Sequence, residues 1–282
     1  MTDVTDEAIH SLRTTADPRL RDLLTSLVRH LHAFAHETRL TRAEWEAAVD
    51  FLTATGQTCT DTRQEFILLS DVLGLSMLLE TIHGGHTPGT TESTVRGPFH
   101  LTASPARALG DTIDLVGGGE PCVVSGRVLS ADGTPLPGAH LDVWQADGHG
   151  FYDVQCPDVQ PPGNGRGLFT ADTEGGFRFR TCVPSSYPIP TDGPVGDLLR
   201  ATGRHPYRPA HIHFIASADG HRPVTTHVFV AGDPYLDSDA VFAVKQSLVR
   251  DFTPVDDPPL AEELGVPNPF RHARIDLVLE RS

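Results

Sequence analysis

The segment RPAHIHFIAS, residues 208–217, has the pattern of a β-strand with two histidines at alternate positions. Residues i and i+2 of a strand point to the same face, so His211 and His213 are expected to stand side by side. Two neighbouring imidazoles can bind a metal ion, or they can simply face water. The segment alone predicts a strand and leaves both functions open.

Short runs of the same kind surround this segment through the second part of the chain, and turn dipeptides such as Asp132-Gly133 separate them. The runs are CVVSGRVLS, AHLDVWQAD, GLFTAD, GGFRFRTCV, AHIHFIASA, VTTHVFVAG and ARIDLVLE. Many short strands at such spacing are typical of a β-sandwich or a barrel. Two proline-rich loops, CPDVQPPGNG and VPSSYPIPTDGP, are too long to be simple turns, and long loops on a β scaffold are where functional sites tend to lie.

The first third of the chain has a helical pattern instead. Asp17 is a capping residue followed by proline at the first helical position, and apolar residues recur at helical spacing from there to Phe34. The stretch TRAE, residues 41–44, is a capping box that predicts a second helix ending at Gly56.

The stretch FILLSDVLGLSMLLETI, residues 66–82, predicts a third helix. It is apolar on nearly all sides, so we expect it to be buried between layers or against a partner subunit. The expected fold is therefore α+β, with a helical N-terminal domain over residues 1–95 and a mainly antiparallel β-sandwich over residues 96–282. The apolar helices also predict a homodimer that forms through the N-terminal domain.

Composition argues against several classes of function. The formal net charge of −15 disfavours sequence-independent binding of nucleic acid, because a phosphate backbone needs a basic face. No apolar run of about 18 residues is present, so a membrane span is not expected. The first residues have neither the basic start nor the apolar core of a secretory signal, and the four cysteines are scattered without a CxxC pair. This pattern predicts a reduced, cytoplasmic protein.

Two of the four tyrosines lie in the loops between predicted strands. Tyr152 lies in GHGFYDVQ, just after the strand that carries Trp144, and Tyr187 lies in PSSYPIPTDGP. A phenol in such a loop can reach a functional site, or it can anchor the loop by packing its ring. The residues alone leave both roles open.

Several motifs occur together in the order found in one enzyme family. DVWQADGHGFYD, SSYPIPTDGPVGDLL and GRHPYRPAHIHFIASADGHRPVTTHVFVAGDPYLDSDAVF resemble the intradiol ring-cleavage dioxygenases, and the helical first third fits the catechol 1,2-dioxygenase branch. The resemblance implies a β-sandwich catalytic domain with a non-haem Fe(III) ion that two tyrosinates and two histidines hold. By motif position, these ligands are Tyr152, Tyr187, His211 and His213.

The chemistry of the implied ligands suits ferric iron, because phenolate oxygen is a hard anionic donor and imidazole binds iron generally. A catechol-type substrate can lose its hydroxyl protons as it chelates the iron, and Tyr187 is then one acceptor. The arginine that matches Arg208 faces the bound ring in the family. A fixed cation there stabilises negative charge on ring carbon during the attack of dioxygen.

Within the family, the motifs around Tyr187 are most similar to those of the hydroxyquinol 1,2-dioxygenases. The resemblance implies cleavage of hydroxyquinol (benzene-1,2,4-triol) by dioxygen to 3-hydroxy-cis,cis-muconate, which tautomerises to maleylacetate. Cleavage of catechol or a chlorocatechol is the alternative. The implied ring pocket is lined by Leu68, Asp71, Val95, Gly97, Pro98, Phe99, Ile189, Pro190, Arg208 and Val241.

Asp71 is the informative residue of this pocket, because a carboxylate on an apolar helix is costly without a partner. The third hydroxyl of hydroxyquinol would be such a partner, and an arginine or a neighbouring loop would be the structural alternative. Arg96 departs from the family pattern, in which an apolar or acidic residue usually occupies this position. It could narrow the pocket mouth, favour an anionic substituent or point outward.

Two functions of other classes are also considered. His140 and Asp142 form an HxD on one strand face, and His227 could complete the 2-His-1-carboxylate triad of a ferrous oxygenase. The stretch VSGRVLSADGTPLPGAHLDVWQ resembles prealbumin-like repeats, which would make the β-region a non-enzymatic binding module. Neither alternative explains the tyrosine motifs together with HIH. The family resemblance also leaves open whether a lipid binds at the helical interface of the dimer.

Overall fold

The computed structural model describes residues 3–61, 63–84, 87–101 and 104–282. Among these residues the α-helices are α1 (Val4–Ser11), α2 (Pro18–Thr38), α3 (Arg42–Thr58), α4 (Glu65–Val72), α5 (Leu75–His83), α6 (Pro194–Ala201) and α7 (Pro258–Leu264). Single turns of 3-10 helix occur at Leu12–Thr14 and Gln246–Leu248.

The strands begin after the helical first third, as the sequence predicts. They are β1 (Pro121–Ser130), β2 (His140–Gln145), β3 (Arg166–Thr170), β4 (Gly176–Cys182), β5 (Tyr187–Pro188), β6 (Tyr207–Arg208), β7 (His211–Ser217), β8 (Val224–Val230), β9 (Val249–Arg250), β10 (Phe252–Val255), β11 (Phe270–Arg274) and β12 (Leu277–Leu279).

Local capping signals set the first residues of α2 and α3. The Asp17 side chain accepts a hydrogen bond from the Arg19 N–H at 2.8 Å, which caps α2. At α3, the Thr41 N–H donates to Glu44 Oε2 at 2.8 Å and the Glu44 N–H donates to Thr41 Oγ1 at 3.3 Å, so the capping box forms in both directions. The helix continues past the predicted end at Gly56 to Thr58.

The prediction of one continuous third helix is wrong. The chain breaks between α4 and α5 at Gly74, which adopts a left-handed backbone with φ of 76°. Among the described residues no single helix is long and apolar enough to cross a membrane; α4 and α5 pass that test only as a pair, with a 75° bend between them. Their apolar surface is also incompletely buried within the chain, since Phe66 and Leu73 are exposed.

Two five-stranded sheets form a sandwich around one core. In the first sheet the order is β10-β11-β1-β12, with β4 also paired to β1, and in the second it is β3-β2-β7-β8-β9. Val124 and Val128 of β1 share a buried cluster with Ile212 and Phe214 of β7, so the core lies between the sheets. The predicted α+β class is confirmed, although the sheets are mixed: β1 pairs in parallel with β11 and β12, and β8 pairs in parallel with β9.

Strand β7 separates the core from the candidate site. Because Ile212 and Phe214 point into the sandwich, His211 and His213 point to the opposite face. Both histidines are nevertheless buried, with 1% of their surface exposed, so this face of the sheet is covered rather than open to water. A separate two-stranded sheet, β5-β6, places Tyr187 directly opposite Arg208.

The chain divides into two compact units, Met1–Gln57 and Thr58–Ser282. The helices α4 and α5 belong to the second unit, together with the strands. The domain boundary expected at residues 95 and 96, from the change of helices to strands, stays a prediction.

Candidate metal centre

The two histidines of β7 present converging nitrogen atoms. The Pro209 carbonyl lies 2.7 Å from His211 Nδ1 and can only accept, so Nδ1 carries the proton and Nε2 keeps its lone pair. His211 Nε2 lies 3.1 Å from His213 Nε2. The backbone therefore selects the tautomer of His211 that can act as a ligand through Nε2.

The two loop tyrosines complete the cluster. The Tyr152 hydroxyl lies 3.1 Å from His213 Nε2 and 3.3 Å from the Tyr187 hydroxyl. Both tyrosines are buried, in a small core cluster that also contains Trp144. The structure thus brings together the four side chains that the sequence predicts as metal ligands, and we refer to Tyr152, Tyr187, His211 and His213 as the donor cluster.

The spacing of the donor cluster fits a single transition-metal ion. Metal–ligand bonds of about 2.1 Å at right angles place neighbouring donor atoms about 3 Å apart. Two imidazoles and two phenols also match the donor preferences of iron. Gly97 leaves room beside the cluster, because a Cβ atom there would lie 3.2 Å from His213 Cε1.

The electrostatic surroundings keep the histidines neutral. Burial lowers the pKa of His211 and His213 well below the usual value, and the charge of Arg208 lowers both further. Neutral imidazole is the form that binds a metal. Burial, with Tyr187 nearby, raises the pKa of Tyr152, so its phenol keeps the proton unless a cation compensates for the lost charge.

Aromatic rings hold the donor cluster in place. The Trp144 ring stacks on His213 with a centroid distance of 4.5 Å and an interplanar angle of 10°. Phe99 stacks on Tyr152 at 4.6 Å. Because stacked neighbours restrict rotation of the rings, packing fixes their orientation before any ligand binds.

Arg208 lies beside the cluster as a buried cation. Its Nε is 3.2 Å from Asp239 Oδ1, and its Nη1 is 3.4 Å from His211 Nε2. Burial opposes the charge of Arg208, but Asp239 outweighs that effect and keeps the pKa of the guanidinium above its usual value. Asp239 is itself held by the backbone N–H groups of Val241 and Ala243.

His227 is the residue that sequence reasoning did not place here. It is opposite His213 in the β7-β8 register, and the nitrogen atoms of His211, His213 and His227 lie close enough together to hold a metal ion. On the sequence alone, His227 is a candidate only for the third ligand of the 2-His-1-carboxylate alternative. Its position beside His213 depends on the register of β7 and β8, and no local motif in VTTHVFV indicates that register.

The ferrous triad is not assembled by the residues proposed for it. His140 is exposed, whereas Asp142 accepts hydrogen bonds from His100 at 3.0 Å and Ser104 at 2.5 Å. His227 instead lies beside His211 and His213. The surroundings of His140 and Asp142 therefore disagree with the 2-His-1-carboxylate alternative.

The residues predicted to line the ring pocket differ in how far they are buried. One buried apolar cluster contains Leu68, Val95, Ile189 and Val241. Phe99 packs against the aromatic cluster of Tyr152 and Tyr187, while Gly97 and Pro190 are half-buried and Pro98 is exposed. Arg96 is exposed.

Asp71 lies on α4 and is buried, with 6% of its surface exposed. Burial raises the pKa of its carboxyl group, while Ser76 and the charge of Arg208 act in the opposite direction. Its carboxylate is thus within the electrostatic reach of the cation beside the donor cluster.

Known proteins with the same architecture identify the family of the chain. Residues 97–281 match the family described as Dioxygenase, and residues 17–91 match Catechol dioxygenase N terminus. The chain is 54% identical to 6-chlorohydroxyquinol 1,2-dioxygenase of Cupriavidus pinatubonensis over 88% of its length and 90% of that protein. It is 49% identical to hydroxyquinol 1,2-dioxygenase of a Rhizobium species over 98% of its length and 94% of that protein.

A solved structure agrees with this assignment. Hydroxyquinol 1,2-dioxygenase from Pseudomonas putida DLL-E4 superimposes with a TM-score of 0.92 at 47% identity, covering 99% of this chain and 98% of that one. The chain therefore belongs to the intradiol ring-cleavage dioxygenase family, as its motifs predict. Family membership implies an enzyme with non-haem iron, and it supports this class over the ferrous triad and the prealbumin-like binding module.

Proposed function

We propose that the chain is a ferric intradiol dioxygenase that opens hydroxyquinol between its vicinal hydroxyls, giving 3-hydroxy-cis,cis-muconate and, after tautomerisation, maleylacetate. The observation that carries this proposal is the convergence of two phenols and two neutral imidazoles beside a buried arginine. The relatives named for hydroxyquinol cleavage support the choice of substrate.

The proposed ligands are Tyr152, Tyr187, His211 and His213. Two phenolates make the ferric state the expected one, because hard anionic donors favour the higher charge. When bound, the ion supplies a Lewis acid and a template for the two vicinal hydroxyls.

Tyr187 and Arg208 have the proposed catalytic roles. As the tyrosinate, Tyr187 is expected to accept a proton from a substrate hydroxyl; its Oη lies 3.3 Å from the Tyr152 hydroxyl, and its backbone pairs with Arg208 in β5-β6. Arg208 is expected to stabilise negative charge that develops on the ring. Its burial makes that stabilisation stronger than it would be in water, and the Asp239 contact fixes its position before reaction.

Asp71 is proposed to select the third hydroxyl. Its buried carboxylate can accept a hydrogen bond there, whereas the neighbouring residues of the proposed pocket, among them Leu68, Val95 and Val241, offer apolar contact to the ring. Exposed Arg96 has no proposed role in binding the ring.

A chlorinated hydroxyquinol is a second candidate substrate. The relative from C. pinatubonensis, which is named for 6-chlorohydroxyquinol, is 54% identical to this chain. An apolar pocket can accept a ring chlorine as well as a hydrogen, so the two substrates share all the proposed polar contacts.

Assembly and location are also proposed. Exposed apolar residues on α2 and α3 support a homodimer formed through the N-terminal helices, and the same surface could accommodate a lipid. Among the described residues, Cys122, Cys156 and Cys182 are free thiols, which supports a reducing, cytoplasmic location.

A substrate panel on the iron-loaded enzyme under air tests this function. Hydroxyquinol, 6-chlorohydroxyquinol, catechol and a chlorocatechol are compared by kcat/KM, with products identified by mass. We expect hydroxyquinol to have the highest value and the 6-chloro compound to follow. A preference for catechol or chlorocatechol would overturn the choice of substrate and leave the iron chemistry in place.

The Asp71→Ala variant tests the specificity residue. Loss of a hydrogen bond to a charged acceptor costs about 1.5–3 kcal/mol, which is roughly one to two decades in kcat/KM. Hydroxyquinol cleavage should fall by that factor, and any catechol cleavage should stay nearly unchanged. The exposed Asp50→Ala serves as the control for loss of a carboxylate. Equal losses on both substrates would assign Asp71 a structural role.

A further inference from the structure

His227 is fully buried at the edge of the donor cluster, and both of its ring nitrogens contact side chains. Its Nδ1 bonds to Thr94 Oγ1, and its Nε2 lies 3.4 Å from Arg208 Nη1 and 3.5 Å from Arg208 Nη2. Thr94 is fully buried as well. These three residues form a line that begins at Thr94 and ends at the guanidinium.

The hydrogen-bonding capacity of the partners selects one tautomer of His227. An arginine has only donors, so His227 Nε2 must accept from Arg208 with its lone pair. A neutral imidazole then carries its proton on Nδ1, which donates to Thr94 Oγ1. Burial lowers the pKa of His227, which agrees with a neutral ring beside a cation.

The guanidinium is thereby held from two directions. Asp239 binds it through Nε and Nη2, at 3.2 Å and 3.5 Å, while His227 Nε2 accepts from both Nη atoms. With His227 removed, Nη2 would keep only the 3.5 Å contact with Asp239, and Nη1 only the 3.4 Å contact with His211 Nε2. Orientation matters because a cation stabilises developing charge only where it is preorganised.

We propose that His227 is a positioning residue that orients Arg208 toward the substrate, and that Thr94 accepts the Nδ1 proton and so holds the His227 ring in the orientation this task needs. The inference rests on the proposed function, in which Arg208 faces the reacting ring. It assigns no metal bond to His227, although its nitrogen lies near those of His211 and His213. The reason is that His227 Nε2 contacts both Nη atoms of Arg208, whereas the shortest contact of His211 Nε2 is to His213 Nε2, and His213 Nε2 also contacts the Tyr152 hydroxyl.

Four variants of the iron-loaded enzyme test the proposal, with kcat, KM, iron content and visible absorption measured for each. His227→Leu should lower kcat by about 10- to 100-fold while iron content and visible absorption stay at the wild-type level, because a hydrogen bond to a charged group is lost. His227→Gln should recover activity to within about threefold, since its amide oxygen can accept from Arg208. Thr94→Val should lower kcat and Thr94→Ser should restore it.

Thr226→Val is the matched control for Thr94→Val. Thr226 is a fully buried threonine on the same strand as His227, and its hydroxyl donates to backbone carbonyls, that of Glu92 at 2.7 Å and that of His227 at 3.4 Å, rather than to a side chain of the donor cluster. Thr226→Val removes one buried hydroxyl that lies outside the contacts from Thr94 through the His227 ring to Arg208, so kcat should be unchanged.

Several outcomes would overturn the proposal. Wild-type kcat in His227→Leu or in Thr94→Val would do so, and so would equal losses in His227→Leu and His227→Gln. Loss of iron and colour in His227→Leu would make His227 a metal ligand instead. If His227→Leu does not fold, the Thr94 pair decides alone. A wild-type enzyme without ring-cleaving activity would overturn the proposed function and this inference together, whereas failure of the inference alone shows only in the variants.

Discussion

Tyr152 and His213 lie next to each other in the donor cluster, with 3.1 Å between the phenol oxygen and Nε2. Each is proposed to supply one donor to the metal ion. We expect Tyr152→Phe and His213→Ala to reduce iron content and activity by at least about 100-fold, since even the partners of ligands affect metal affinity by 10- to 100-fold. Iron analysis and the visible tyrosinate-to-iron absorption are the measurements.

Tyr235→Phe is the control for this prediction. Tyr235 stacks on Tyr207 at 4.7 Å, away from the donor cluster, so its loss should preserve colour and rate. Full colour and rate in both Tyr152→Phe and His213→Ala would show that the metal lies elsewhere.

The buried carboxyl group of Asp71 is expected to lower the stability of the fold at neutral pH, although the proposed function needs it. Burial raises its pKa in the folded state above the unfolded value of about 3.9. The protonated form therefore contributes stability that is complete below about pH 3.9 and is lost as the pH rises through the folded-state pKa. We expect Asp71→Asn to unfold at a higher temperature than the wild type at pH 7, with the difference shrinking toward pH 4.

The measurement is thermal unfolding of both iron-loaded proteins across that pH range. Asp50→Asn, at an exposed position on α3, should show no such trend. A lower unfolding temperature for Asp71→Asn than for the wild type at pH 7 would mean that the Asp71 carboxylate is stabilised when charged, through Arg208 or Ser76.

At the level of elements, the loop between β2 and β3 depends on a buried ion pair next to a proposed ligand. Asp153 follows Tyr152 directly, and its Oδ1 accepts from Arg166 Nε at 2.8 Å and Nη2 at 2.7 Å. Its Oδ2 accepts from the Gly163 N–H, which ties the two ends of the loop together. The side chains of Asp153 and Arg166 are 4% and 1% exposed.

Arg166→Met is expected to lower the free energy of unfolding by about 3–5 kcal/mol, because it leaves the Asp153 carboxylate buried without its cation. Iron binding should weaken with it, since the Tyr152 loop loses its anchor. Denaturant unfolding and iron titration measure the two effects. Arg42→Met breaks a pair on α3 whose arginine is 86% exposed, and it should cost only about 0.3–0.5 kcal/mol. Similar costs for both variants would show that the buried pair does not stabilise the loop.

The stability of the donor cluster also depends on strand alternation. Ile212 and Phe214 stay in the sandwich core while His211 and His213 face the loops, so a register shift of one residue would exchange the two sets. The core therefore holds the histidines on their face of the sheet.

At the level of the whole molecule, the N-terminal unit suggests a second copy of the chain. One stripe of α2 carries Leu20, Leu23, Leu27, Leu31 and Phe34, all exposed within a single chain. Exposed apolar stripes of this kind mark interaction surfaces. We expect the wild type to sediment as a dimer at micromolar concentration, and Leu27→Asp with Leu31→Asp to shift it toward the monomer.

Arg29→Asp is the control, because helical periodicity places Arg29 on the opposite side of α2 from Leu27. That variant should remain dimeric. A monomeric wild type under the same conditions would contradict the proposed assembly, while leaving the donor cluster of the other unit unaffected.

The sequence by itself determined the features that depend on a few neighbouring residues. The Asp17 N-cap sets where α2 begins and the Thr41–Glu44 capping box sets where α3 begins, because an N-cap hydrogen bond spans only three residues. The alternation in HIHFIAS predicted β7 and placed two imidazoles on one face, and the motif order predicted the family. The pocket and ligand roles of the individual residues came from that resemblance and stay predictions.

Only the tertiary structure decided the features that depend on distant segments. Gly74 breaks the third helix, although its apolar pattern continues across the break. Tyr187 meets Arg208 through strand pairing, and His227 faces His213 through register. Strand pairing joins residues far apart in the chain, and the free energy that selects a register comes from burial of the whole sheet face, so no local motif can encode it.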